Sequence, residues 1–319
     1  MMSMAPRDRL MAAGIDVPSG YDLSFYVELS ESEREAYLPT VEVILAGAVR
    51  LTAETQAKCT SLRFIQTLSV GVDGIDLVDA TQRRVLVANN PESNAMAVAE
   101  HVVLGALYFL RKMGQAQQVA ISETFQTDRL QFFNAKLYGL RGMKVGIVGF
   151  GGIGREVVRL LAPFRPEILV HSRRPSGQTG VQDVTLHALL QVADVVVLAL
   201  PLTQATYHLL ANEEFALMKE GAILINVGRG ALLDSFALAS AMQQGRVYGA
   251  VLDVFEPEPP GIDHPLIQMA KREPERFLLS PHVSGVTIQS WTDMVKQAFA
   301  NLERYAQQKA VRHVVGVSD

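Results

Sequence analysis

The chain has 319 residues, of which 49% are hydrophobic and 19% are charged, and its formal net charge at pH 7 is −4. This length and composition are typical of a globular protein with two domains of ordinary size. The negative charge and the lack of a long basic run argue against a nucleic-acid partner, and no apolar stretch reaches the ~20 residues that a membrane-spanning helix needs.

The N-terminal residues and the cysteine content indicate a cytoplasmic protein. Residues 1–9 carry charge but no apolar signal-peptide segment. The single cysteine, Cys59, cannot form a disulfide within the chain, which fits a reducing compartment. No metal site is predicted.

The first 95 residues alternate between short apolar runs and helix-like segments. Strands are predicted at residues 41–45, 64–68 and 85–88, with helices between them. This alternation predicts a small α/β domain.

A long helix is predicted at about residues 94–111, where the chain enters a second domain. Its apolar residues exceed what one buried helix stripe needs, which predicts a homodimer. These residues include Val102, Val103, Leu104, Leu107 and Phe109.

The alternation of strands and helices continues from Val145 onward. Six strands are predicted, at residues 145–148, 168–171, 194–200, 222–227, 249–254 and 277–280. They are rich in Val, Ile and Leu without strict alternation, which is typical of strands buried on both faces of a parallel, doubly wound sheet. Gly221 and Gly245 are predicted to end the helices at 212–219 and 234–244.

A final helix at about 289–308 is predicted to return the chain to the first domain. We therefore predict a substrate domain made of residues 1–95 and 284–319. Residues 96–283 are predicted to form a cofactor-binding domain.

A dinucleotide-binding turn is predicted between the strand at 145–148 and the helix that follows it. The turn has glycines at Gly149, Gly151 and Gly154. In such a turn the first glycine permits a tight bend, the second lets the backbone approach a pyrophosphate, and the third lets the helix pack on the strand. The strand before and the helix after favour this interpretation over an ordinary glycine turn.

Three polar residues follow the last three predicted strands. Arg229 lies between two glycines, Glu258 lies in a proline-rich loop, and His282 follows Pro281. The carboxyl ends of parallel strands meet at one edge of a sheet, so these side chains are expected there together. A guanidinium can grip a carboxylate and a carbonyl, and a carboxylate beside an imidazole orients it and favours its protonated form. The three residues suit the reduction of a 2-oxo acid.

The chain resembles the D-isomer-specific 2-hydroxyacid dehydrogenase family, which contains glyoxylate/hydroxypyruvate reductases, phosphoglycerate dehydrogenases and phosphite dehydrogenase. The motifs that carry the resemblance lie in family order at residues 69–76, 94–101, 146–154, 200–203, 225–230, 252–259 and 280–282. The resemblance implies a doubly wound Rossmann cofactor domain, a smaller flavodoxin-like α/β substrate domain and a homodimer.

The resemblance also implies roles for individual residues. Arg229, Glu258 and His282 match the catalytic positions of the family, and the backbone of Val70 and Gly71 joins Arg229 and His282 in binding substrate. The implied cofactor contacts are Gly149, Gly151, Gly152, Ile153, Gly154, Leu200, Pro201, Val227, Arg229, Asp253, His282, Ser284 and Gly285. Formate dehydrogenases of this family carry Gln where Glu258 stands, so that activity is disfavoured.

The segment after the second cofactor strand predicts a preference for NADPH, with NAD as a possible cofactor. NAD-dependent members place an acidic residue there, which binds the ribose hydroxyls. Here the segment is Ser172, Arg173 and Arg174, and none of these side chains repels a phosphate. They are instead able to donate hydrogen bonds to the 2′-phosphate.

The family opens with a strand ahead of its first helix, whereas a helix-like run begins here at Arg7. That strand is therefore either abbreviated within residues 1–6 or missing.

Two other kinds of function are alternatives to a 2-oxo acid reductase. One is a nucleotide-sensing binding protein like the corepressors that share this fold, and the other is a phosphite or phosphoglycerate dehydrogenase.

Overall fold

The computed structural model describes residues 6–47 and 49–316. The chain divides into two compact units, one made of Met1–Asn94 with Val286–Asp319 and the other of Ala95–Gly285. The boundaries predicted from the sequence were 95/96 and 283/284. The question of an abbreviated first strand concerns residues 1–6, of which 1–5 lie outside the described residues.

The first unit contains a parallel three-stranded sheet in the order β1-β2-β3. The strands are β1 (Val43–Ala46), β2 (Phe64–Thr67) and β3 (Leu86–Ala88), and the helices that accompany them are α1 (Pro6–Ala12), α2 (Glu31–Tyr37), α3 (Ala53–Lys58) and α4 (Leu77–Gln82). Successive residues of a strand point to opposite faces, so Phe64 and Ile65 join two different apolar clusters. The predicted small α/β domain is thereby confirmed.

The second unit is built around a seven-stranded sheet in which every neighbouring pair is parallel. Its helices are α5 (Ala95–Leu110), α6 (Met113–Ala120), α7 (Phe125–Phe133), α8 (Gly152–Leu161), α9 (Leu186–Val192), α10 (Asn212–Leu217), α11 (Ser235–Gln243) and α12 (Pro265–Arg272). Its strands are β4 (Lys144–Val148), β5 (Glu167–His171), β6 (Val181–Asp183), β7 (Val195–Leu198), β8 (Ala222–Asn226), β9 (Val247–Leu252) and β10 (Phe277–Leu279).

The strand order in this sheet is β10-β9-β8-β7-β4-β5-β6, and an apolar cluster covers each face. This is the doubly wound arrangement, with a reversal of order between β4 and β7. The predicted fold class, an α/β protein with a Rossmann sheet, is confirmed.

The sheet has one strand more than predicted. Strand β6 is only three residues long and contains Gln182 and Asp183, both exposed, so it carries no apolar run that a sequence pattern could detect. It lies at the edge of the sheet, where one side of the strand faces no neighbour. Edge strands tolerate polar residues because they are not buried on both faces.

One of the two predicted helix stops is wrong. Helix α10 ends at Leu217 and its C-cap residue, Met218, is extended, so Gly221 is not the stop but lies in the turn before β8. Gly245 follows the C-cap of α11 with a φ of +77°, as the rule for a glycine after the last helical turn requires.

The last helix, α13 (Ile288–Ala306), belongs to the first unit. Thr287 caps its N-terminus by accepting a hydrogen bond from Ser290 N at 3.0 Å. Its apolar face, which includes Val295, Phe299 and Leu302, packs with Phe64 of β2. Among the helices of the described residues, none is both long and apolar enough to cross a membrane.

Candidate active site

The carboxyl edge of the seven-stranded sheet carries every site residue predicted in the second unit. The turn 149–154 follows β4, Ser172 to Arg174 follow β5, Leu200 and Pro201 follow β7, Val227 and Arg229 follow β8, Asp253 and Glu258 follow β9, and His282, Ser284 and Gly285 follow β10. In doubly wound sheets, ligands bind outside the carboxyl ends, at the point where the strand order reverses. That point lies here beside the glycine turn, between β4 and β7.

The glycine turn has the shape that a pyrophosphate requires. Gly149 has a φ of +97°, and a Cβ there would lie 2.5 Å from Ala199 O. A Cβ at Gly154 would lie 2.5 Å from Gly149 O, whereas one at Gly151 would meet nothing within 4 Å. The space above Gly151 is therefore open to a ligand, while the other two glycines close the turn.

The same turn leads into an uncapped helix N-terminus. Gly151 is the N-cap residue of α8 and no side chain caps the helix, so Gly152 and Ile153 open it with their first-turn N–H groups unmatched by a side-chain acceptor. Unpaired N–H groups and the positive end of the helix dipole favour an anion at this place. These features fit the diphosphate of a nicotinamide dinucleotide.

His282 and Glu258 form a hydrogen-bonded pair. Nδ1 of His282 lies 3.1 Å from each carboxylate oxygen of Glu258. A carboxylate can only accept, so Nδ1 carries a proton and proton exchange with another group falls to Nε2. The side chains are 49% and 39% exposed, so solvent weakens the attraction and its main effect is orientation.

Asp253 forms hydrogen bonds with the backbone of His282 and of the two residues after it. Its buried carboxylate accepts hydrogen bonds from Val283 N at 2.8 Å and from Ser284 N at 2.9 Å, and the hydroxyl of Ser280 donates to it at 2.5 Å. The carbonyl of Asp253 accepts from His282 N at 2.8 Å. The resemblance assigns Asp253 to the cofactor, whereas in this structure its carboxylate is occupied by the segment 280–284.

His282 has a φ of +55°, a left-handed backbone that residues other than glycine seldom adopt. The four hydrogen bonds around Asp253 compensate for this strain. They also fix the direction in which the imidazole leaves the backbone. Asp253 is therefore a residue on which the position of His282 depends.

Arg229 is half-buried, and its Nη1 donates to Gly228 O at 2.8 Å. The turn that carries it is held by Asn226, whose Nδ2 donates to Arg229 O at 2.8 Å and whose Oδ1 accepts from Gly228 N at 3.1 Å. Asn226 is fully buried and was missed by the sequence analysis. A polar residue closing an otherwise apolar strand was the signal that could have revealed it.

Two histidines outside the predicted set support the same edge. Nε2 of His101, on α5, lies 3.4 Å from the hydroxyl of Ser280, which itself bonds Asp253. Nε2 of His264 lies 3.2 Å from the carbonyl of Glu256, in the loop that carries Glu258. Neither histidine could be placed there from spacing, because each comes from a different part of the chain.

The surroundings of His264 favour its neutral form. Burial lowers its pKa below the ordinary histidine value, and the hydrogen bond with Glu256 opposes this only in part. Its Nδ1 is buried and has no hydrogen-bond partner among the described residues. Because the folded state favours the unprotonated ring, His264 lowers the free energy of unfolding as the pH falls below the ordinary histidine range.

The segment after β5 presents two exposed guanidinium groups, those of Arg173 and Arg174. No carboxylate of the described residues forms an ion pair with either of them. The hydroxyl of Ser172 donates to Arg174 O at 2.6 Å, so it must turn away from this bond before it can donate to a phosphate.

Val70 and Gly71 lie in the first unit, in the loop after β2. Asn89 Nδ2 donates to Val70 O at 2.9 Å and holds this loop to the segment after β3. Within residues 6–47 and 49–316, no group accepts a hydrogen bond from the backbone N–H of Val70 or Gly71. Two adjacent N–H groups of this kind suit a carboxylate.

Comparison with known proteins identifies the family. The family model described as D-isomer specific 2-hydroxyacid dehydrogenase, NAD binding domain, matches residues 103–284, more than half of the chain. The chain therefore belongs to the D-isomer-specific 2-hydroxyacid dehydrogenase family. The matched residues lie within Ala95–Gly285, which makes the second unit the domain for a nicotinamide cofactor.

Individual proteins agree with this assignment. A glyoxylate reductase of Thermofilum pendens is 34% identical over 260 residues, which cover 79% of this chain and 74% of the relative. A D-3-phosphoglycerate dehydrogenase of Archaeoglobus fulgidus is 29% identical over 304 residues, or 94% of this chain, and the chain spans only 56% of that relative's length. The crystal structure of an NAD-dependent formate dehydrogenase from Staphylococcus aureus in complex with NAD superposes with a TM-score of 0.79 at 26% identity, covering 91% of this chain and 87% of that one.

Proposed function

We propose that this protein reduces small 2-oxo acids, such as glyoxylate or hydroxypyruvate, to D-2-hydroxy acids, and that it prefers NADPH. The observation that carries the proposal is the pair of His282 and Glu258 at 3.1 Å, on the sheet edge that also carries Arg229 and the glycine turn. The similarity to a glyoxylate reductase supports a small substrate.

Each residue of the pair and of its surroundings has a defined task in this reaction. When bound, the nicotinamide cofactor supplies the hydride that C2 of the substrate receives. His282 donates the proton of Nε2 to the oxygen that was the carbonyl, and Glu258 orients the ring by accepting a hydrogen bond from Nδ1. Arg229 binds the carbonyl and the carboxylate of the substrate with its planar fork. The resemblance assigns the carboxylate also to the N–H groups of Val70 and Gly71.

A panel of 2-oxo acids assayed with both reduced cofactors tests the proposal. Glyoxylate and hydroxypyruvate are expected to be turned over with a higher kcat/KM for NADPH than for NADH, and the product is expected to be the D enantiomer. Nucleotide binding without turnover of any acid would favour a nucleotide-sensing binding protein instead. Oxidation of phosphite with NAD would identify a phosphite dehydrogenase.

Phosphoglycerate dehydrogenase is the second candidate, because the similarity to that enzyme covers 94% of this chain. The panel separates the two functions when it includes 3-phosphohydroxypyruvate. A kcat/KM for this phosphorylated acid that exceeds the value for glyoxylate and hydroxypyruvate would favour the second candidate.

The preference for NADPH is expected to depend on Ser172. Ser172→Asp places a carboxylate where the 2′-phosphate is proposed to bind, and it offers an acceptor to the ribose hydroxyls of NADH. The ratio of kcat/KM for NADPH to that for NADH is expected to fall by ~10-fold or more. Equal or better efficiency of the wild type with NADH would contradict the proposed phosphate site.

The chain is expected to be a homodimer, although the reason differs from the one found in the sequence. Of the apolar residues predicted on α5, Val102 and Phe109 are buried within the second unit and only Leu104 is largely exposed. Further exposed apolar residues lie in the segment after α5. They include Ile121, Leu130 and Phe133. An apolar surface of this kind favours a protein partner, here a second copy of the chain.

Light scattering at micromolar concentration is expected to give the mass of a dimer. Phe133→Glu is expected to weaken the dimer, because it places a charge on α7 within the proposed interface. Phe236→Glu, on the exposed face of α11, serves as the matched control and is expected to leave the mass unchanged. A monomeric wild type would contradict the proposal.

The rate of reduction is expected to report on how Glu258 orients His282. Both carboxylate oxygens of Glu258 lie 3.1 Å from Nδ1 of His282, whereas the amide of Glu258→Gln offers only one oxygen that can accept this hydrogen bond. The imidazole is then held less firmly, and kcat is expected to fall by about threefold to tenfold while the dissociation constant of NADPH stays within about twofold. A kcat equal to that of the wild type would remove Glu258 from this role.

A further inference from the structure

The two arginines after β5 stand on a loop, residues 172–180, that joins β5 to the edge strand β6. Long polar side chains on a mobile loop lose much conformational freedom when they bind a ligand. A loop that is already held in place loses less, and the ligand binds correspondingly more tightly. The hydrogen bonds that hold this loop therefore affect how tightly Arg173 and Arg174 can bind a ligand.

Hydrogen bonds hold His171, the residue before the loop, in place. The carbonyl of His171, the last residue of β5, accepts a hydrogen bond from Gly149 N at 2.8 Å, which ties it to the glycine turn. Nδ1 of His171 lies 3.2 Å from the carbonyl of Val184. A carbonyl can only accept, so Nδ1 is the donor, and this bond ties the end of β5 to the end of β6.

The loop is also held in its middle, by Asp183 of β6. One carboxylate oxygen of Asp183 accepts from Ser176 N and the other from Ser176 Oγ, both at 2.9 Å. The bond from Ser172 Oγ to Arg174 O closes the intervening turn. Arg173 and Arg174 thus lie between two residues that hydrogen bonds hold in place, His171 before them and Ser176 after them.

We propose that Asp183 is a positioning residue for cofactor choice: by holding Ser176 it keeps Arg173 and Arg174 ready to bind the 2′-phosphate of NADPH. This inference rests on the proposed phosphate site at Ser172 to Arg174. Asp183 itself touches no phosphate in this proposal.

The negative charge of Asp183 acts in the opposite direction. A carboxylate near a bound phosphate repels it, and removal of Asp183 would strengthen NADPH binding if repulsion dominated. Exposed charges in salt are strongly screened, whereas the two hydrogen bonds are lost completely when the carboxylate is removed. We therefore expect the positioning effect to be the larger one.

The experiment compares Asp183→Ala with Asp183→Asn in the full-length protein. Asparagine removes the charge, but its Oδ1 can accept from Ser176 N and its Nδ2 can donate to Ser176 Oγ, so both bonds to the loop can be kept. Glu167→Ala is the matched control, because Glu167 is an exposed carboxylate at the opposite end of β5. The dissociation constants of NADPH and NADH are measured by fluorescence titration, which requires no substrate, and the Tm of each variant is recorded.

Asp183→Ala is expected to weaken NADPH binding by about threefold to tenfold and to leave NADH binding within about twofold. Asp183→Asn and Glu167→Ala are expected to stay within about twofold of the wild type for both cofactors. Unchanged or tighter NADPH binding by Asp183→Ala would overturn the proposal. So would an equal loss for both cofactors, which indicates general damage to the domain, or an equal loss in Asp183→Asn, which indicates an effect of charge.

The same titrations separate this inference from the cofactor preference on which it rests. Tighter binding of NADH than of NADPH by the wild type would contradict the preference. A selective effect of Asp183→Ala on NADPH in that protein would still show that Asp183 positions the loop.

Discussion

His282→Asn is expected to lower the turnover of 2-oxo acids by ~10²–10⁴-fold, the usual cost of losing a general acid. Asparagine is the substitution of choice because it tolerates a positive φ, and His282 has a φ of +55°. Its amide can also donate to Glu258. The variant is therefore expected to fold and to bind NADPH with a dissociation constant close to that of the wild type, while the proton donor is missing.

The control for this variant is His313→Asn, which makes the same exchange at another positive φ, +57°, in the first unit. It is expected to leave turnover within about twofold, since the side chain of His313 is exposed and the replacement of an exposed side chain usually has little effect. Measurements of kcat, NADPH binding and Tm distinguish loss of chemistry from loss of structure. Near-normal turnover of His282→Asn would remove this residue from the role of acid.

Gly230→Ala is expected to damage both the stability of the second unit and its activity. A Cβ at Gly230 would lie 2.0 Å from the carbonyl carbon of Phe255 and 2.5 Å from Glu256 N. These are backbone atoms, which cannot move aside as the end of a side chain can, so the turn carrying Arg229 and the loop carrying Glu258 must separate. Overpacking of this kind costs ~1–3 kcal/mol or more, which lowers Tm by roughly 2–10 °C in a domain of this size.

Activity is expected to fall further than stability alone explains, because Arg229 adjoins Gly230 and shifts with it. A displacement of about 1 Å in a positioned group can cost ~10²-fold in rate. Gly261→Ala is the control, since a Cβ there meets nothing within 4 Å and its backbone has no positive φ. If Gly230→Ala melts and turns over like Gly261→Ala, the close packing of these two loops has no importance for the site.

The supporting residues of the site were hidden from sequence analysis for a physical reason. Ser280 and His101 act through hydrogen bonds to other side chains, and His101 is distant in sequence from Ser280. No spacing rule relates such residues, because they meet only when the sheet and α5 are assembled. Strand β6 was hidden likewise, since an exposed edge strand needs no apolar run.

The sequence by itself determined six of the seven strands of the large sheet and the residues that follow them. Buried parallel strands require continuous apolar runs, and glycines are required where the turn after β4 must bend and admit a phosphate, so both leave clear patterns. Because all strands of this sheet are parallel, the residues after them necessarily meet at one edge, so the sequence alone groups Arg229, Glu258 and His282. Tertiary structure alone decided the contacts within that group: the 3.1 Å pair of His282 and Glu258, and the left-handed backbone that Asp253 supports. These depend on distances between loops of different origin, which local sequence patterns do not encode.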